Sequence, residues 1–143
     1  MTALTPNVTG HTGLDPLASR YVDIENLAWE ASNFPGVDFK TLLVDPETGI
    51  LTTLVRMAPG ATLPDHEHME IEQTYVLEGR LMDDDGEVTS GNCVWRPAKS
   101  RHSAHAPEGA LLLGIFLKRN RFFHQDGSQT DFLGRDYDST WNR

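Results

Sequence analysis

The chain has a single cysteine, Cys93, among 143 residues, so no disulfide can close within it, which suits a reducing compartment. No basic start followed by an apolar stretch is seen, so no signal peptide is expected and the reading is cytoplasmic. Long hydrophobic runs are missing too. The longest uncharged one, Ala110 to Leu117, is far too short to span a bilayer, which argues against a membrane role. Basic residues are few, 12 against 21 acidic ones, and the net charge of −9 argues against a general nucleic-acid surface. Amphipathic helical periodicity is nearly absent, with only Asp23 to Ala31 open to a helical reading. There is no internal repeat and no low-complexity tract. An Asn7-Val8-Thr9 sequon would matter only in a secreted protein, and nothing else points there.

What is present is strand after strand. Phe39 to Val44 and Ile50 to Met57 flank Asp45-Pro46-Glu47-Thr48-Gly49, whose proline and glycine suit a tight turn, and together they read as a hairpin. Glu72 to Leu81 is a further strand, closed by the turn Asp83-Asp84-Asp85-Gly86. Val88 opens a short strand that Gly91 interrupts, and Asn92 to Arg96 continues it. Ala110 to Leu117 reads as a buried strand. Many short strands with regular turn signals predict an all-β sandwich or barrel of one domain. Residues 1–20, rich in Thr, Pro, Gly and Asn, read as an irregular N-terminal arm, ordered by packing on a partner subunit. Residues 21–118 read as the barrel. Residues 119–143 carry too many aromatics for a disordered tail and are expected to pack on the barrel or on a partner subunit.

Chemistry concentrates in one segment. His66 and His68 are two apart, so on a strand they share a face and can reach one ion. Glu70 and Glu72 share that parity, and either could add a carboxylate. Past a strand that ends at Pro97 stands a third imidazole, His102, with His105 as the weaker alternative. Nitrogen and oxygen donors of this kind suit iron, manganese, nickel, zinc or copper, and three histidines with one carboxylate leave a position open for a ligand. Two histidines on a strand are otherwise often half-exposed surface, and spacing alone puts the two readings level. His11 and His124, in the polar arms, read as surface residues, Asp65 and Glu67 as solvated charge, and Cys93 as a small buried side chain.

At these residues the sequence resembles the cupin family. Gly60, His66, His68, Glu72 and Gly79 match every fixed position and spacing of its first motif, G-x5-H-x-H-x3-E-x6-G, and the match selects Glu72 over Glu70. The second motif, G-x5-P-x-G-x2-H-x3-N, is met by Gly91, Pro97 and His102. Lys99 replaces its glycine and Ala106 its asparagine, which predicts a changed turn with an ammonium near the site. From Tyr21 to Lys118, through Trp29, Phe34-Pro35-Gly36, Lys40, Gly49 and Arg56, the chain is similar to the cupin domain of ChrR-type anti-sigma factors and to small dioxygenases that cleave acetylacetone and dihydroxyacetophenones.

The resemblance implies a double-stranded β-helix, a jelly-roll-like conical barrel of two antiparallel sheets, commonly a homodimer that exchanges edge strands. It implies one divalent metal on His66, His68, Glu72 and His102. Iron(II) is favoured, with zinc, manganese or nickel as alternatives, since diketone-cleaving relatives use three histidines on iron(II) and ChrR-like ones add the glutamate. The expected function is a dioxygenase acting on a small enolisable diketone or hydroxy-ketone. Glu72 would serve as ligand or base, with Tyr75, Arg80 and Arg96 in contact with substrate or ligands. The alternatives are a ChrR-like metal-binding sensor without turnover and a non-redox isomerase or lyase. The 143 residues leave no room for the zinc domain that precedes the cupin in ChrR-like proteins, so an anti-sigma role is not expected.

Overall fold

Apolar side chains recur at alternate positions through much of the chain, and each such run pairs as an antiparallel strand. The computed structural model describes residues 2–141. Its strands are β1 (Glu30–Ala31), β2 (Val37–Val44), β3 (Leu51–Met57), β4 (Ala61–Glu67), β5 (Glu72–Asp83), β6 (Gly86–Thr89), β7 (Cys93–Arg96), β8 (Arg101–Ala106), β9 (Ala110–Phe116), β10 (Arg121–Phe123) and β11 (Gln129–Thr130), and a helical turn, α1 (Tyr137–Trp141), follows them. They form one curled sheet in the order β1-β2-β3-β9-β5-β8-β4-β10-β11, with β6 and β7 each paired to β5. The expected all-β barrel is thus what the chain builds. Among the described residues, no helix is long and apolar enough to cross a membrane.

The longest strand, β5, belongs to both halves of the barrel. Glu72 to Tyr75 pair with β7, and Glu72 to Gly79 pair with β9, whereas Arg80 to Asp83 pair with β6. The strand changes partners at Gly79, whose φ is +78°. A Cβ there would stand 2.1 Å from the Gly109 carbonyl oxygen, so the motif's last glycine is required by a close backbone approach. The two halves enclose a core that includes Val37, Phe39, Val55, Met57, Val76, Leu81, Leu112 and Phe122.

Among the described residues, the N-terminal arm and the segment after β9 both pack on the barrel. In the arm, Leu4 and Val44 exchange backbone hydrogen bonds of 2.8 Å, and the Thr5 hydroxyl donates to the Leu42 carbonyl at 2.7 Å. The arm therefore covers part of the outer edge of β2 in its own chain. At the other end β10 pairs with β4, and β11 with β10. This brings Phe122 within 4.6 Å of Phe34 and Phe132 within 5.3 Å of Phe39, ring centre to ring centre, and closes the core with aromatic contacts.

Three local expectations change. Asp23 to Ala31 holds only a short 3-10 turn, Ile24–Asn26, before β1; Trp29 instead lies against the Lys40 ammonium and the Arg56 guanidinium. Cys93 is exposed, because its side of β7 faces outward, as does Trp95. Lys99 does not change the turn: its φ is +72°, the left-handed conformation that suits the motif's glycine, and its side chain is exposed. Lysine keeps the turn and bears its strain. Lys99→Gly should therefore raise stability by about 0.5–1 kcal/mol, the left-handed penalty less the extra entropy that glycine loses on folding. A denaturant midpoint no higher than the parent's would contradict this.

Candidate metal centre

β4 and β8 pair with His66 opposite His102, after a register shift between Leu63 and His66. His68 lies one residue beyond the end of β4, so strand parity alone does not place it. Its backbone N–H donates to the Ser100 carbonyl at 2.9 Å, and its own carbonyl accepts from Lys99 at 2.7 Å. The three rings meet with centres 4.6–5.0 Å apart, and one ligand atom from each lies within 4.8 Å of the others. His66 and His68 are buried and His102 is half-buried. His105, on the opposite face of β8, is exposed and takes no part.

Each ring is oriented through its Nδ1. That of His66 donates to the Pro64 carbonyl at 2.8 Å, that of His68 to the Ser100 carbonyl at 3.0 Å, and that of His102 to Asp83 Oδ2 at 2.7 Å. The acceptors are carbonyl and carboxylate oxygens, so each Nδ1 carries a hydrogen, and in the neutral ring Nε2 is left with the lone pair. Burial pushes the His66 imidazole down to about 4, against the opposing pull of Glu72 and the Pro64 contact. Burial and then the Arg96 charge lower His102 as well, against Asp83. Neutral imidazoles are the form that ligates a metal.

Glu72 lies beside the three imidazoles. Its Oε2 stands 2.9 Å from His68 Nε2 and accepts from Asn120 Nδ2 at 3.1 Å, while Oε1 accepts from Thr74 Oγ1 at 3.0 Å. Burial would raise its carboxyl, but His68, His66 and Asn120 together hold it down to about 2. The buried His68 Nε2 has no hydrogen-bond partner, although a carboxylate oxygen is beside it. A ring nitrogen and a carboxylate oxygen this close in a buried place are held together by a proton or by a metal ion. A divalent metal fits that requirement and this donor set.

The centre opens into a cavity of about 170 Å³, lined by apolar side chains such as Phe39, Val55, Leu112, Phe116 and Phe122, and by Arg96, Arg119 and Asn120. A cavity of about 150 Å³ admits a molecule the size of benzene. Arg96 lines it and is held by Asp83 at 2.7 Å. Two residues expected at this cavity lie elsewhere. Tyr75 is out of phase with buried Thr74 and Val76 and is 43% exposed on the outer face. Arg80, past the crossing of β5, pairs with Glu87 at 2.7 Å and Glu108 at 2.6 Å on the surface. Asp83, Thr74, Asn120, Ser100 and Arg119 were not anticipated. Thr74 shares the parity of Glu72 and was findable by that rule. Asp83 is masked as the first of three aspartates in a turn, and Asn120 and Arg119 sit in a polar stretch without periodicity.

The family model of the ChrR cupin-like domain matches residues 17–121. No curated protein matches the sequence. Among solved structures, a candidate acetylacetone dioxygenase from Methylibium petroleiphilum PM1 is similar with a TM-score of 0.73 at 21% identity, over 91% of this chain and 99% of that one. The acetylacetone dioxygenase of Acinetobacter johnsonii gives 0.70 at 17%, over 90% and 95%. The anti-sigma factor ChrR of Rhodobacter sphaeroides, in complex with SigE, gives 0.56 at 22%, over 65% of this chain and 50% of that one. At these identities the structural likeness establishes the fold alone.

Asp83 touches the His102 ring at Nδ1, so any effect it has on a bound metal would pass through His102. Asp83→Asn should weaken divalent-metal binding about 10–100-fold, as loss of such partners typically does. Competition against a chelator reads this; unchanged affinity would mean that the Asp83 contact does not orient His102.

Proposed function

The chain belongs to the ChrR cupin-like domain family, and from that membership and the three converging imidazoles we propose that it is a metal-dependent dioxygenase cleaving a small enolisable diketone or hydroxy-ketone. The observation that carries the reading is the juxtaposition of a cup of His66, His68, His102 and Glu72 with a small, mostly apolar cavity. The folds of two acetylacetone dioxygenases, one a candidate, support it by likeness. We assign all four residues as ligands, iron(II) as the metal, and Arg96 as a substrate contact.

Bound iron(II) would supply the oxygen chemistry that side chains lack. The chain's own groups have simpler tasks. Pro64, Ser100 and Asp83 fix the three rings, and Thr74 and Asn120 fix the carboxylate. The phenylalanine and leucine walls keep water from a reactive dione and leave it few orientations. Arg96, immobilised by Asp83, presents a donor to a ketone or enolate oxygen. The proposal extends to a homodimer. Leu17 is 95% exposed and Tyr21 87% in the arm, and Trp95 is 63% exposed on the outer sheet face, so apolar surface is available to a second copy.

A second reading is a metal-binding regulatory module without turnover. The match to the ChrR family model and the carboxylate close against His68 favour it. Oxygen uptake separates the two. Iron(II)-loaded protein given acetylacetone should consume oxygen in step with loss of the diketone, and zinc-loaded protein should not. Stoichiometric metal with no oxygen uptake would move the assignment to the regulatory module, and turnover without oxygen would move it to a non-redox lyase or isomerase.

A further inference from the structure

The charged side chains lining the cavity fall into satisfied sets with one exception. Glu72 belongs to the imidazole cup, and Arg96 is paired with Asp83. At the C-terminal rim stand two guanidiniums, Arg119 and Arg135, and one carboxylate, Asp131. Asp131 is already saturated. Its Oδ1 accepts from the backbone N–H groups of Leu133 and Arg135, and its Oδ2 from Arg135 Nε at 2.8 Å and Trp141 Nε1 at 3.0 Å. Arg119 has no ion pair among the described residues, and its Nη1 is buried without a hydrogen-bond partner.

Yet Arg119 is held in place. Its guanidinium carbon lies 3.6 Å from the centre of the Trp141 ring, and its carbonyl accepts from the Tyr137 hydroxyl at 2.8 Å. Burial, with Arg135 adding to it, lowers the guanidinium to about 10 despite the nearby Asp131 charge. An immobilised, incompletely solvated cation on the wall of an apolar cavity is costly unless an anion joins it. The C-terminal rim of the cavity is one negative charge short, and the group best shaped for a planar guanidinium is a carboxylate.

Building on the diketone reading above, we propose that the natural substrate carries a carboxylate besides its enolisable dione, and that Arg119 is the specificity-determining residue that binds it. The dione then faces the imidazole cup while the acid faces the C-terminal rim, so the substrate spans the cavity in one direction.

The test uses zinc-loaded protein, so that binding is read by calorimetry without oxygen chemistry. The probes are acetylacetone, succinylacetone (acetylacetone extended at one methyl by a carboxymethyl group) and the methyl ester of succinylacetone. The acid and its ester share the dione and differ in charge. The acid should bind on the order of tenfold more tightly than the ester, the usual scale for a hydrogen bond to a charged partner. In Arg119→Gln that ratio should collapse toward one, and Arg119→Lys should restore part of it. Equal binding of acid and ester to the parent, or an unchanged ratio in Arg119→Gln, overturns the inference. Binding of acetylacetone with no preference for the acid overturns it alone. Failure of all three probes to bind overturns the diketone reading as well.

Discussion

Three Nδ1 hydrogens, each committed to an oxygen acceptor, are the constraint on which the rest of the site depends. Once Pro64, Ser100 and Asp83 take those hydrogens, the Nε2 lone pairs of His66, His68 and His102 have no option but to converge. Convergence of lone pairs in a buried place is unfavourable by itself, and Glu72 adds an anionic oxygen to it. The barrel tolerates this arrangement through its strong frame: antiparallel pairing on both sides of β4 and β8, and an aromatic cluster in which the Phe122 ring lies 4.8 Å from that of His66. A bound divalent ion would turn the repulsion into attraction and so would add to the fold's stability.

The frame and the site share residues at β5. Its first half carries Glu72 and Thr74 toward the cup, and its far end carries Asp83 to His102. Between them the strand crosses from one half of the barrel to the other at Gly79, where there is no room for a side chain. A single strand therefore supplies the carboxylate beside the imidazoles and the partner that orients His102. The segment after β9 completes the enclosure. Asn120 braces Glu72, and Arg119 and Phe132 line the cavity.

Much of this was legible in the sequence for physical reasons. Alternating burial, turn glycines and prolines mark strands, and His66, His68 and Glu72 stand at the fixed positions of a known motif, although His68 lies past the end of β4 and Glu72 on β5. What escaped depended on phase and on long-range placement. Tyr75 looks as suitable for a cavity as Thr74, but a strand turns its neighbours outward, and only the register decides which is which. Arg80 lies beyond the corner at Gly79, where surface carboxylates capture it. Asp83 reads as turn solvent until β8 brings His102 against it, and Lys99 reads as a broken motif although its backbone keeps the glycine conformation. Arg119 and Asn120 gain their roles only when the chain folds back past β9. No local pattern announces that.

The central claim is that the imidazole cup holds one divalent ion, and elemental analysis of parent and His66→Ala protein, each after reconstitution, tests it most directly. The account predicts about one ion per chain in the parent, as in a mononuclear site, and little in the variant, with the barrel still folded by circular dichroism. A parent that binds no metal after reconstitution, or a folded variant that holds as much as the parent, would contradict it.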